Sequence, residues 1–279
     1  MLTVEQPGPL ALLQDLGRPG RAHLGVSPSG AADRSAHRLA NRLVGNPEGA
    51  VTVEVTLGGL VLGTDRTAFL AVTGAPTTLR VAGRPTPSHT TVVLRAGERL
   101  VVDPPARGLR SYVAVRGGVL APATLGSCSR DVLSGLGPEP LRAGDVLATG
   151  RAEDPLPGTD QVAPPTPVLD LQVQPGPRRD WFTDASWDRL LGAAWTVSAE
   201  LDRVAVRLAG DPLERRVPAE LPSEGLVRGA VQVPASGQPL VFLADHPVTG
   251  GYPVVAVVTE RSCDHAAQLR PGDRVRFRA

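Results

Sequence analysis

The chain has 279 residues, 42% of them apolar, with 29 basic and 28 acidic side chains and a net charge of +1. That is core enough for one large or two ordinary domains, and a charge too evenly scattered for a nucleic-acid-binding face. Every basic residue is an arginine, and the lack of lysine excludes a covalently held biotin, a pyridoxal Schiff base, a lysine nucleophile and a phosphate-loop lysine.

No apolar stretch approaches the length of a bilayer, and no basic segment followed by an apolar one stands at the N-terminus, so a soluble, cytoplasmic chain without membrane contact is expected. Two cysteines, Cys128 and Cys263, agree with a reducing compartment. The five histidines show no metal-binding spacing, and no metal is expected.

In chain order, the first half reads mainly as short strands: 11–13, 52–57, 60–62, 68–72, 77–81, 91–94 and 111–115, rich in Val, Leu and Thr and punctuated by Gly or Pro. One helix interrupts them. From Asp33 to Val44 the apolar residues Ala36, Leu39, Ala40, Leu43 and Val44 share a face, with Asp33 as N-cap and Gly45 as stop. Arg34, Arg38, Asn41 and Arg42 fall on the opposite, polar face. Ahead of this helix, a Gly-rich polar loop carries Asp15, Arg18 and Arg21. Such a loop can hold a carboxylate or carbonyl ligand, or can be an ordered surface loop tied by its own Asp–Arg pairing.

The stretch 150–167 holds five prolines and reads as a linker, giving two β-rich domains over 1–155 and 168–279. In the second, a short helix is expected over 183–191, capped at Gly192. Further on, the apolar run 240–244 delivers Asp245 to a loop containing Thr249, Gly250, Gly251 and Tyr252. The glycines permit close backbone approach to a ligand, or simply make a tight turn.

Two turn signatures recur. Gln-Pro-Gly-Pro begins at Gln6 and again at Gln174, while Leu94-Arg-Ala-Gly-Glu, Leu141-Arg-Ala-Gly-Asp and Leu269-Arg-Pro-Gly-Asp each precede a strand-like run. This is the trace a duplicated β-unit leaves. No serine lies in a Gly-x-Ser-x-Gly elbow, which argues against a serine hydrolase.

Taken together, Gln14-Asp15-x-Gly-Arg18, Gly25-Val-x-Pro28-x-Gly30-Ala-x-Asp33, Ala40-Asn41-x-Leu-Val-Gly45-Asn46, Glu54, Arg110-Ser111-Tyr112, Leu125-Gly-Ser127, Gln232-Val-Pro and Asp245 with Thr249-Gly-Gly-Tyr-Pro253 resemble the biotin-dependent carboxyltransferase family. That family includes one component of ATP-dependent 5-oxoprolinase, the carboxyltransferase region of urea carboxylase, and a regulator that antagonises a kinase inhibitor. The resemblance implies a mainly β protein with a few short helices, built on cyclophilin-like β-barrels in two related halves.

It also implies a small amide or lactam substrate and two partners, a smaller B-type subunit and an A-type lactam-utilisation protein, with ATP or biotin entering only through those partners. For such a substrate Asp245 and Asp15 are the candidate catalytic residues, Asp245 as general base or as partner to a ligand N–H. Arg18, Arg21, Ser29, Asn41, Ser127, Gln232, Thr249, Gly250, Gly251 and Tyr252 are candidate substrate-binding residues. The sequence departs from the family at Gly126-Ser-Cys-Ser-Arg130, where an arginine is usual at position 128, at Asp202-Arg203, where Asn-Arg is usual, and at His246-Pro-Val248.

Overall fold

A computed structural model describes residues 1–152, 155–166 and 168–279; Pro167, at the end of the expected linker, lies outside the described residues. The chain divides into two compact units. The first comprises Met1–Arg18, Asp33–Asp131 and Gly135–Thr166, the second Pro19–Ala32, Val132–Ser134 and Pro167–Ala279. The first unit ends at Thr166, and two segments from the first half of the chain, 19–32 and 132–134, belong to the second unit. The reason is side-chain chemistry in the second unit, set out below.

The first unit has a six-stranded and a five-stranded antiparallel sheet; the seven Val/Leu/Thr runs each fall on a strand, whereas Leu2–Pro7 and Arg84–Pro87 form strands that no such run announced. Its core gathers alternate residues such as Val53, Val55, Leu60, Leu62, Leu70, Val72, Val113 and Val115, all buried, as period-two side-chain alternation requires. The second unit closes seven strands into a barrel around Trp195, Val206, Val231, Val241, Val255, Val275 and Phe277. Among the described residues the second unit's sheet is closed and the first unit's two sheets are open. Among the described residues no helix is long and apolar enough to cross a membrane.

The repeated sequence elements are repeated structures. In all three Leu-Arg-x-Gly-acid segments the acid's backbone N–H donates to the arginine carbonyl, and the acid's carboxylate accepts the arginine's own N–H. These carboxylate bonds are 2.7 Å for Arg95–Glu98, 2.7 Å for Arg142–Asp145 and 2.8 Å for Arg270–Asp273. The glycines between them, Gly97, Gly144 and Gly272, have φ of 81°, 95° and 88°, the left-handed geometry a type II turn demands at its third residue. Each turn launches a strand, Arg99–Val102, Val146–Leu147 or Arg274–Arg278. Both Gln-Pro-Gly-Pro copies end a strand. A Cβ on Gly8 would lie 2.2 Å from the Gly58 carbonyl oxygen, and one on Gly176 would lie 2.5 Å from that of Val254, so each glycine is required by close backbone packing.

Three α-helices are present among the described residues: α1 (Arg34–Leu43), α2 (Asp184–Gly192) and α3 (Glu260–Ala266). Asp33 caps α1 by accepting from the Ala36 N–H at 2.9 Å, and Thr183 caps α2 by accepting from the Ser186 N–H at 3.1 Å, satisfying amides the helices cannot. Trp187 packs partly buried against the barrel core. The third helix gave no sequence signal.

Helix α1 buries a face that its apolar pattern does not announce. His37 and Asn41 are both fully buried, although Asn41 was expected on the solvated side. In the five-stranded sheet, Thr52, Glu54, Thr73 and Tyr112 are buried polar residues on strands whose alternate positions fill the apolar core. His37 Nδ1 is 2.9 Å from Thr52 Oγ1, and Thr73 Oγ1 donates to the Ala36 carbonyl at 2.6 Å. The Tyr112 hydroxyl donates to Glu54 at 2.8 Å while accepting the Asp33 N–H at 2.7 Å. Glu54 is also paired with the buried Arg110 at 3.6 Å. The helix therefore rests on a hydrogen-bonded seam, which confers registry more than raw stability.

Burial lowers the His37 pKa from 6.5 to about 4, against smaller opposing effects of Asp15 and Glu54. The unfolded chain takes up this proton more readily, so stability is whole above pH 6.5 and declines as pH falls toward 4. At pH 5 the loss through His37 is roughly 2 kcal/mol. Urea unfolding at pH 7 and pH 5 should show that loss, and His37→Gln should remove about this much of it; an unchanged pH dependence in the variant would contradict the assignment.

Candidate functional site

Asp245 follows the barrel strand Leu240–Phe242 and is fully buried. Its carboxylate accepts four hydrogen bonds, all inside the second unit. Oδ1 accepts from Ser29 Oγ at 2.6 Å and Arg203 Nη2 at 3.2 Å; Oδ2 accepts from Arg203 Nε at 2.9 Å and the Val132 N–H at 2.9 Å. Arg203, only 2% exposed, also donates through Nη2 to the Gly30 carbonyl at 2.5 Å. These bonds explain why residues 19–32 and 132–134 belong with the barrel. A carboxylate whose lone pairs meet four donors is an anchor; a general base needs one of those positions open.

Asp15 plays the matching part in the first unit. Its Oδ1 accepts from Ser127 Oγ and Ser129 Oγ, each at 2.6 Å, and from the Gly17 N–H at 2.7 Å, while Oδ2 accepts from the Cys128 N–H at 2.7 Å. The same carboxylate and burial raise the Cys128 thiol pKa, burial contributing most, so this thiol is a poor nucleophile at neutral pH. Ser127 is thus a hydroxyl donor to Asp15.

Arg18 is 2% exposed. Its Nε donates to the Thr124 carbonyl at 3.2 Å and its Nη2 to the Ser129 carbonyl, whereas its buried Nη1 has no acceptor among the described residues. Beside it in sequence, Gln14 donates through Nε2 to the Arg130 carbonyl at 2.8 Å, which fixes the amide orientation, and its buried Oε1 is likewise unpartnered. Buried polar atoms rarely stay unpaired, so these two atoms mark the segment 14–18 as chemically unfinished.

The remaining expected residues separate by role. Arg21 and Ser29 belong to the second unit with Asp245, whereas Asp15, Arg18, Asn41 and Ser127 belong to the first. Arg21 is exposed. Asn41 donates to the Ala50 carbonyl at 2.8 Å and accepts from Asn46 Nδ2 at 3.1 Å, closing the loop after α1. Gln232, 3% exposed on a barrel strand, donates to the Tyr252 carbonyl at 2.8 Å.

Thr249 and Gly250 pair with Gly225 and Glu224 in a two-stranded ribbon. A Cβ on Gly250 would sit 2.8 Å from Gln232 Nε2 and 2.8 Å from a Leu226 methyl, so this glycine is demanded by the protein's own packing. Gly251 is exposed, and Tyr252 is 49% exposed. In sequence Arg203 stands out only as part of Asp202-Arg203, where the family has Asn-Arg, and takes no role there, because its local signal is slight: an arginine inside a strand-like apolar run.

Removing the charge of Asp245 strands a buried guanidinium. Asp245→Asn should lower the unfolding free energy by about 3–5 kcal/mol, whereas the paired replacement Arg203→Met with Asp245→Leu should recover much of that loss. Urea unfolding of both variants measures this, and Asp245→Asn within about 1 kcal/mol of the parent would remove the anchoring role.

Residues 24–279 match the carboxyltransferase domain family, subdomains A and B. The chain is 36% identical over 280 residues to the C subunit of the Escherichia coli 5-oxoprolinase, spanning 99% of this chain and 90% of that protein. Among solved structures, TTHA0988 superposes with a TM-score of 0.90 at 37% identity, covering all of this chain and 55% of that one. The Kluyveromyces lactis urea carboxylase superposes with a TM-score of 0.91 at 28% identity, covering 99% of this chain and 27% of that one. On sequence, and on a backbone that follows theirs from end to end, this chain belongs to the carboxyltransferase domain family.

Proposed function

We propose that this chain is the C-type subunit of an ATP-dependent 5-oxoprolinase, which opens the lactam ring of 5-oxoproline to glutamate. The observation that carries this reading is sequence identity. The chain is 36% identical to the Escherichia coli C subunit and 35% identical to the one from Haemophilus influenzae, against 28% for the Kluyveromyces lactis urea carboxylase.

Within that reading the lysine-free composition assigns ATP handling to the A-type and B-type partners, and the chain alone is inactive. Arg18 is the residue best suited to the substrate carboxylate, because its unpartnered Nη1 presents a fixed cationic donor. Gln14 Oε1 supplies the complementary acceptor for the lactam N–H. Asp15 and Asp245 hold the loops that carry the site and do not contact the reacting amide. The alternative, biotin-dependent carboxyl transfer to a urea-like amide, draws on the urea carboxylase likeness and requires a biotin carrier on another chain.

The test is 5-oxoproline turnover with ATP in the reconstituted complex. Arg18→Met should raise KM for 5-oxoproline by about 10- to 100-fold, the loss of one charge-assisted contact, with Arg18→Lys partly restoring it. Unchanged KM in Arg18→Met would remove the assignment. A stable complex that carboxylates urea and leaves 5-oxoproline intact would select the alternative.

A further inference from the structure

The first unit carries a recess of about 410 Å3 lined by Pro76, Pro87, Pro104 and Pro164 together with Ser88 and Asp103, a volume within the range of small-molecule sites. It borders the hairpin of strands Thr78–Val81 and Arg84–Pro87, the outer edge of the six-stranded sheet. Pro85 and Pro87 deprive that edge of N–H donors, so an added peptide strand is disfavoured there.

Ser88 and His89 give the recess its chemistry. His89 is fully buried at a left-handed φ of 64°, uncommon for a residue with a side chain. It is held there by its N–H donating to the Val72 carbonyl at 2.7 Å and its carbonyl accepting from the Val162 N–H at 2.9 Å. Burial lowers its pKa to about 4, so the ring is neutral and one nitrogen carries the proton. Nδ1 is 3.1 Å from Ser88 Oγ, and Nε2 is buried without a partner.

A buried orphan N–H is rarer than a buried orphan lone pair, which places the proton on Nδ1. Ser88 Oγ then accepts twice, from His89 Nδ1–H and from the Thr77 N–H at 3.1 Å. Its own hydrogen has no acceptor among the described residues, and Ser88 is part of the recess wall. Asp103, also in that wall, pairs with Arg80 Nε at 3.0 Å and retains spare carboxylate lone pairs. No basic residue lines the recess, which disfavours anions.

We propose that this recess binds a small, neutral, ring-bearing amide, whose carbonyl accepts from Ser88 Oγ–H, whose N–H donates to Asp103, and whose ring packs on the four prolines. It is separate from the Gln14–Arg18 segment and selects against a carboxylate such as 5-oxoproline.

Two measurements on the full chain test this, neither needing partner proteins or turnover. Nitrogen-15 NMR of the His89 ring should show the proton on Nδ1; a proton on Nε2 would commit the Ser88 hydroxyl to the ring and overturn the proposal. Titration with N-benzylacetamide, followed by the Thr77 and Ser88 amide resonances, should saturate in the millimolar range expected of so small a ligand. Ser88→Ala should weaken it about five-fold or more, and 5-oxoproline should leave these resonances unmoved. Shifts that never saturate, or equal affinity in Ser88→Ala, would sink it.

Discussion

The Asp245 carboxylate is the point on which the second unit turns. Three pieces of chain far apart in sequence donate to its two oxygens: Ser29, the amide of Val132, and Arg203, which also holds the Gly30 carbonyl. A buried ion pair of this kind adds little net stability, because desolvation offsets most of the attraction. Its effect is on specificity, since a loop that drifted away would leave a charge in the interior with too few donors.

The first unit solves a related problem in the same way. Helix α1 lies on a sheet face bearing Glu54, Thr73 and Tyr112, and the hydrogen bonds of that seam reach the Asp33 amide at the helix start. Asp15 binds the 127–129 loop through two hydroxyls and an amide. Polar networks so fully satisfied rigidify the segments that join them. Gln14 Oε1 and Arg18 Nη1, beside that loop, are buried polar atoms with no partner among the described residues, and the proposed substrate contacts rest on them for that reason.

Much of this was legible in the sequence, and the reason is local chemistry. The Asp33 cap, the Gly45 stop and the three Leu-Arg-x-Gly-acid turns are written in residues within a few positions of one another. The partners of Asp245 were not legible, because Arg203 and Val132 lie 42 and 113 positions away and the second contributes only a backbone amide. Asn41 was placed on the wet side of α1 because the pattern assumes an apolar floor. The floor is polar, a fact readable in the alternation of Thr52, Glu54 and Thr56 with Val53 and Val55. Helix α3, seven residues from Glu260 to Ala266, is too short for periodicity to reveal.

The central claim is that the Asp245 carboxylate holds distant loops to the barrel as one cooperative unit. Native-state hydrogen exchange of the Val132 amide tests it most directly, because that N–H lies in a three-residue segment and donates to Asp245. The account predicts exchange only through global unfolding, at the rate of barrel amides such as Val231 and Val241. Fast exchange through local opening, with the barrel still protected, would contradict it.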